Sequence, residues 1–306
     1  MNYTITFNPA VDLVIRVPEV NLGDLNRSTT EEYVAGGKGI NMSVVLNRLG
    51  QETIATGFLG GFSGEFIKSE LRKEGIEPDF VEVEGITRIN VKLKSQLETE
   101  INASGPTVKS EQFNALLSKL KSSVTKEDTI FLAGNASPGL GSSHYQAIAK
   151  LAQDIGAKFV LDSNKDLLTS CLSFQPFLIK PNEQELAEIF EVEINSEADI
   201  VHYVQELQDR GARNVIVSRG GDGSLLVTEN GEVYRANVPD GELVNSVGAG
   251  DSMVAGFMAA FNTTGDYKES LRQGAASGSA TAYSVGIGTK ELVETLIKEI
   301  KVEAVK

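Results

Sequence analysis

The chain of 306 residues holds a single cysteine, Cys171, which excludes an intrachain disulfide and leaves no thiolate cluster for zinc. Cations are scarce as well. Lys and Arg total 28 against 42 Asp and Glu, a formal net charge of −14 at pH 7, so no general field draws in nucleic acid or an anionic membrane. An anionic ligand must then be held by a local group of basic side chains and backbone amides. There are two histidines, His144 and His202, and both fall inside amphipathic helical runs without a partner motif. They read as structural, which removes Ser-His-Asp hydrolysis from the candidate chemistries. No apolar run approaches the roughly 20 residues of a membrane span, and the opening MNYTITFNPAVD has no basic stretch leading into an apolar one. The expectation is a soluble, cytoplasmic protein with no nucleic-acid or membrane partner.

Two familiar glycine fingerprints are also missing. GFLGGFSG (57–64) and GAGDSM (248–253) lack the G-x-G-x-x-G spacing, and AGGKGIN (35–41) is not G-x-x-x-x-G-K-[ST]. A nicotinamide dehydrogenase, the natural rival for an α/β chain of this length, has nothing here to hold its cofactor. Long linkers, low-complexity tracts and internal repeats are lacking too.

What is present is an alternation. YTITF, TIATGFL, TIFLAG, KFVLDS, FLIKP and NVIVS read as strands, several apolar on both faces, as a sheet covered by helices on each side requires. Between them NMSVVLNRLG, GEFIKSELRKEG, SEQFNALLSKLKSS, HYQAIAKLAQDIG and ADIVHYVQELQDRG carry apolar residues at helical spacing. The order predicts a doubly wound, mainly parallel α/β sheet with sites at the carboxyl ends of strands. Two segments break the rhythm with period-two alternation and no helical candidate: 11–34 and 86–104. They read as antiparallel strands of a small β lid over a core formed by 1–10, 35–85 and 105–306.

The chemistry concentrates at the glycines. In NSVGAGDSMV (245–254), Gly248 and Gly250 precede Asp251 where an apolar helix begins. Helix capping accounts for the carboxylate and one glycine. It leaves the second glycine unexplained, whereas an open cradle of amides at a helix N-terminus suits an anion. Asp251 is therefore the best placed general base. In AGGKGIN three glycines surround Lys38 ahead of a helix whose first turn carries Asn41, and Asp12 of NPAVD offers a carboxylate to hydroxyl donors such as those of a sugar. SRGGDG (218–223) is either a plain glycine turn between two strands or a place where a base or phosphate approaches the backbone. Asn182 and Glu185 of KPNEQE, three apart on one helical face, suit either a hydrated Mg²⁺ with phosphates or a capping box.

GGKGIN (36–41) and VNSVGAGDSMVAGF (244–257), with NPAVD, TRINVKL, TEIN, KPN-x-x-E and GSATA in order between and beyond them, resemble the signatures of the ribokinase-like, PfkB-type carbohydrate kinases over essentially the whole chain. The resemblance implies a ribokinase-like three-layer α/β/α sandwich with a β lid that often forms a homodimer contact, and ATP-dependent phosphorylation of a hydroxyl on a sugar phosphate. It implies Asp251 as base and the amides of Gly248, Ala249 and Gly250 as the anion hole. Asp12, Gly36, Gly37, Lys38, Asn41, Asn90 and Asn135 would hold the sugar, with Arg88 on the phosphate of the substrate. Lys180, Asn182, Gly250, Ser277 and the turn Ser218, Arg219, Gly220, Gly221, Asp222, Gly223 would contact ATP; GAASGSATAYS (274–284) would line the adenine pocket. Asn182 and Glu185 would organise Mg²⁺ through water. One departure stands out: where the family commonly has Gly-Ser-x-Pro, this chain reads AGNASPGL, with Asn135 in the place of the serine and Ser137 in that of the proline. The helix dipole is expected to keep Asp251 ionised. A sugar-phosphate sensor without catalysis is the competing reading; it would keep the pocket but has no use for an intact GAGD.

Overall fold

A computed structural model describes residues 1–305. The first part of the chain forms β1 (Asn2–Thr6), β2 (Ala10–Arg16), β3 (Thr30–Gly36), α1 (Lys38–Arg48), β4 (Thr53–Leu59), α2 (Gly61–Lys73), β5 (Glu77–Pro78), β6 (Val81–Glu82), β7 (Arg88–Lys94) and β8 (Glu98–Ile101). The middle follows with α3 (Ser110–Ser123), β9 (Thr129–Ala133), α4 (Ser142–Ile155), β10 (Lys158–Asp162), α5 (Lys165–Ser170), β11 (Leu178–Ile179), α6 (Glu183–Phe190) and α7 (Glu197–Asp209). The last part holds β12 (Asn214–Ser218), β13 (Ser224–Val227), β14 (Val233–Ala236), α8 (Ala249–Thr264), α9 (Tyr267–Ala282), α10 (Lys290–Leu296) and β15 (Val302–Ala304).

Apolar side chains on both faces of the strands decide the architecture. Along β9, Ile130 and Leu132 enter one core with Phe113 of α3, Tyr145 and Ile148 of α4 and Val204 of α7. Phe131 and Ala133, one residue out of step, enter the other core with Met42 of α1, Phe257 of α8, Ala276 of α9 and Val293 of α10. A strand buried on both sides must have helices above and below it. The resulting sheet runs β15-β14-β13-β12-β11-β10-β9-β1-β4-β5, with β6 also paired to β4. It is parallel from β12 to β5 and antiparallel from β12 to β15. Among the described residues no helix is long and apolar enough to cross a membrane.

A separate four-stranded sheet, β3-β2-β7-β8, is built from the two segments that broke the alternation. The sequence reading expects it to be antiparallel. Its hairpins β2/β3 and β7/β8 are, but the central pair β2/β7 is parallel. Both strands start at the carboxyl end of the large sheet and run outward, so they join side by side in one direction. That register sets Asp12 opposite Asn90 and Ala10 opposite Arg88.

Candidate active site

The turn before α8 is shaped by its own side chains. The N–H groups of Val244 and Asn245 both donate to the carbonyl of Ala282, at 2.9 and 3.0 Å. Asn245 then folds the chain: its Oδ1 accepts from Val247 N–H at 3.1 Å and its Nδ2 donates to the Val285 carbonyl at 3.2 Å. Gly248 caps the helix with φ 82°, a conformation other residues reach only with strain. The hydroxyls of Ser252 and Thr281, 2.8 Å apart, pin the start of α8 to α9. At the resulting N-terminus the N–H groups of Gly248, Gly250 and Asp251 find no acceptor among the described residues. Ala249 differs from the expectation, because its N–H is committed to the Ser246 carbonyl at 3.2 Å in closing the turn.

Asp251 is 6% exposed, and its Oδ2 accepts a 2.8 Å hydrogen bond from Nδ2 of Asn41 on α1. Asn41, expected to hold the sugar, lines the same cavity and fixes the orientation of this carboxylate. Burial and then the charge of Asp162 push the Asp251 carboxyl up to about 7, against Lys38, Asn41 and Lys180. The helix dipole was expected to keep this group ionised; desolvation and a second carboxylate act in the opposite direction. A base poised near neutrality is better matched to proton transfer than an ordinary aspartate.

Asp162 went unnoticed in the sequence. It closes β10, is 2% exposed, and accepts the ammonium of half-buried Lys38 on Oδ1 at 2.9 Å, while Oδ2 has no partner. Burial opposes its ionisation, but Lys180 and Lys38 hold it below the usual carboxylate range. Lys38 in turn is held above its ordinary value by Asp162 and Asp251, although desolvation pulls the other way. The legible signal was a carboxylate at the carboxyl end of a parallel strand, in KFVLDS. Lys180, 6% exposed, makes no ion pair among the described residues, and a β-carbon on Gly250 would stand 3.1 Å from its Nζ. Its ammonium therefore lies against the start of α8.

On the side of the second sheet, Asp12 Oδ1 accepts from Asn90 Nδ2 at 2.9 Å, and Asn90 Oδ1 accepts from Ala103 N–H at 3.2 Å. Gly36 lets Asp12 approach, since a β-carbon there would meet its Oδ2 at 2.9 Å. The Arg88 guanidinium donates only to neutral carbonyls, to Asn8 at 3.0 and 3.2 Å and to Ala103 at 3.3 Å. Its charge has no carboxylate partner among the described residues. Asn135 is exposed at the rim, and Ser137 turns inward to the Phe7 carbonyl at 2.7 Å.

The nucleotide-side expectations fare unevenly. Asn182 and Glu185 form a reciprocal capping box on α6, with Asn182 Oδ1 accepting from Glu185 N–H at 2.7 Å and Glu185 Oε2 from Asn182 N–H at 2.8 Å. One oxygen of each is thus engaged. The described residues contain no group of three or more His, Cys, Asp or Glu that could cage a metal, and the remaining Glu185 oxygen fits a hydrated cation carried chiefly by phosphates. Ser218 pairs with Asn182 in a β-bridge, and Gly220–Asp222 make a 3-10 turn leading through Gly223 into β13. Arg219 is tied to Glu183 at 3.1 Å and Glu197 at 2.7 Å, and with Gly221 and Asp222 it lines a neighbouring cleft. Two carboxylates thus already compensate it. Ser277 contradicts its assignment: it is 1% exposed between α9 and Gly256 of α8, its hydroxyl unpartnered. Close packing of the two helices puts it out of reach of a nucleotide. The histidines are structural, with His144 capping α4 through Gly141 N–H at 3.0 Å and His202 on the helix surface, 3.3 Å from Glu206.

Asp12, Gly36, Gly37, Lys38, Asn41, Arg88, Asn90, Asn135, Asp162, Lys180, Asn182, Glu185, Gly248, Gly250 and Asp251 line one cavity of about 570 Å³, a volume suited to a small ligand pair. Across residues 5–293 the chain matches the description "pfkB family carbohydrate kinase". It is 47% identical to the 1-phosphofructokinase of Bacillus subtilis over 302 residues, 99% of each chain. The D-tagatose-1-phosphate kinase of Bacillus licheniformis is 39% identical, again over 99% of each. Phosphofructokinase-2 from Escherichia coli, solved in complex with substrates and products, shares the fold with a TM-score of 0.90 at 25% identity, covering 97% of this chain and 98% of that one. The matched span takes in both glycine turns and every residue of the cavity named above, and with them the chain belongs to the pfkB family of carbohydrate kinases.

Proposed function

We propose that the protein is a 1-phosphofructokinase, transferring the γ-phosphoryl group of ATP to the 6-hydroxyl of fructose 1-phosphate to form fructose 1,6-bisphosphate. One observation carries the reading: Asp251 shares its cavity with unacceptored amides at the start of α8 and with Arg88, a cation lacking a carboxylate partner. In an acidic protein such a cation is a place for the phosphate that the substrate already bears. Asp12 and Asn90 accept and donate hydrogen bonds to ring hydroxyls. Asp251, oriented by Asn41, takes the proton from the 6-hydroxyl as the oxygen attacks. The amides of Gly248 and Gly250, with the Lys180 ammonium, meet the charge on the phosphoryl group in flight. Little covalent work falls to the protein in such a transfer, so positioning and charge stabilisation supply the catalysis. Glu185 would hold Mg²⁺ through a water, and the ion would supply charge neutralisation at the phosphates of ATP.

The sheet of residues 11–34 and 86–104 would act as the lid, closing Asp12 and Arg88 over the sugar. Exposed Tyr33, Leu97 and Ile101 on it fit a contact with a second copy of the chain. A buried lone Cys171 and an ATP co-substrate suit the cytoplasm. ADP release across fructose 1-phosphate, fructose 6-phosphate, tagatose 1-phosphate and tagatose 6-phosphate tests the assignment. The highest kcat/KM is expected with fructose 1-phosphate. Preference for a tagatose phosphate, whose sugar is the C4 epimer of fructose, would move the protein to the neighbouring kinases, and no ADP with any sugar would leave a sensor.

A further inference from the structure

One buried carboxylate oxygen and one buried ammonium in the cavity lack partners. Asp162 Oδ2 accepts no hydrogen bond although its carboxylate is 2% exposed, and the Lys180 ammonium forms no ion pair although the side chain is 6% exposed. β10 and β11 are adjacent, so Asp162 and Lys180 leave neighbouring strand ends. Lys38, from the first turn of α1, holds the other Asp162 oxygen at 2.9 Å. Buried polar groups left without a partner are destabilising, and proteins keep them where a function uses them.

We propose that Asp162 is a positioning residue for phosphoryl transfer: its Oδ1 fixes the Lys38 ammonium by an ion pair, and its unpartnered Oδ2 serves as counter-charge to Lys180, so that both cations stand ready beside the start of α8. The inference rests on the kinase reading above. Through Lys38 it sets where positive charge waits for the phosphoryl group. Through space it also opposes ionisation of Asp251, whose carboxyl is faced by Asp162 of β10, Lys38 and Asn41 of α1, and Lys180 after β11.

Steady-state ADP release is measured for the wild-type protein, Asp162→Asn, Lys38→Met and the double variant, over a pH series and with thermal melting alongside. Asp162→Asn is expected to lose about 10- to 100-fold in kcat while the KM for the sugar phosphate moves by less than about threefold. The acid limb of its kcat/KM profile should shift to lower pH, because a negative neighbour of Asp251 is gone. In the Lys38→Met background the same substitution should cost clearly less than in the wild-type background, only the part exerted through Lys180 remaining, as expected for residues acting through one another. Independent, multiplicative losses, or an unmoved acid limb, would overturn the proposal. Lys38→Met leaves Asp162 in place and must move the acid limb to higher pH, which keeps the test decisive even if Asp162→Asn does not fold. Inactive wild-type protein on every sugar phosphate would remove the kinase reading itself, an outcome distinct from both.

Discussion

At Asp251 the burial that suits the proposed base also opposes its ionisation in the folded state. Asp251→Asn keeps the shape and the Asn41 contact but cannot take a proton; kcat should fall by about 10²- to 10⁴-fold, while calorimetry finds fructose 1-phosphate and ATP still bound. Wild-type-like turnover would refute the role. With the carboxyl pushed up to about 7 from an ordinary 3.8, the free protein should show an acid limb in kcat/KM near neutrality. The same shift acts on stability. Between those two values the folded state holds a proton that the unfolded state has released, so the contribution of Asp251 is fully present below 3.8 and lost as pH rises through about 7. Asp251→Asn should therefore raise Tm at about pH 8 and change it little at about pH 4.5; the opposite order would mean that the carboxylate is stabilised where it sits. Arg88, bound only by carbonyls, should act on one substrate: Arg88→Ala is expected to raise the KM for the sugar phosphate far more than that for ATP, and equal changes would make it structural.

At the scale of elements, the pairing of α8 with α9 decides both how the proposed catalytic turn is held and the fate of Ser277. A β-carbon on Gly256 would stand 2.3 Å from Ser277 Oγ and 2.9 Å from the Gln273 carbonyl, so Gly256→Ala should cost about 1–3 kcal/mol by overpacking, read from denaturant unfolding. Ser277→Ala removes a buried hydroxyl without a partner; the KM for ATP is expected to stay unchanged and stability to hold or rise. An increase in that KM would restore the nucleotide role. The sequence GSATA showed small residues and thus a close approach. It could not say whether a helix or an adenine ring was the thing approached, because small side chains permit both. Asn182 and Glu185 posed a similar choice. Their three-residue spacing serves a capping box and a cation alike, and the local hydrogen bonds of α6 engage the pair through one oxygen of each.

For the whole molecule, the net charge of −14 repels the anions it is proposed to bind, so the cavity depends on Arg88, Lys38 and Lys180 gathered from three distant parts of the chain. The proposed lid contact adds a second level. Tyr33→Asp with Ile101→Asp should shift the sedimenting species from dimer to monomer and raise the KM for the sugar phosphate, since the same sheet carries Asp12 and Arg88. A wild-type monomer, or a dimer indifferent to both changes, would dissolve that contact.

Local sequence alone determined the alternation of strands and helices, the position of the glycine turn before Asp251 and the two segments that leave the main sheet. Those follow from local rules: which faces are apolar, where glycine permits a turn, where a run of period two replaces one of period 3.6. Tertiary structure decided the rest. The parallel join of β2 with β7, the grip of Asn41 on a carboxylate 210 positions away, the ion pair of Lys38 with Asp162 and the burial of Ser277 all arise from chain segments that meet only after folding. The charge state of Asp251 belongs with them, because desolvation and the field of a neighbouring carboxylate are properties of the packed interior.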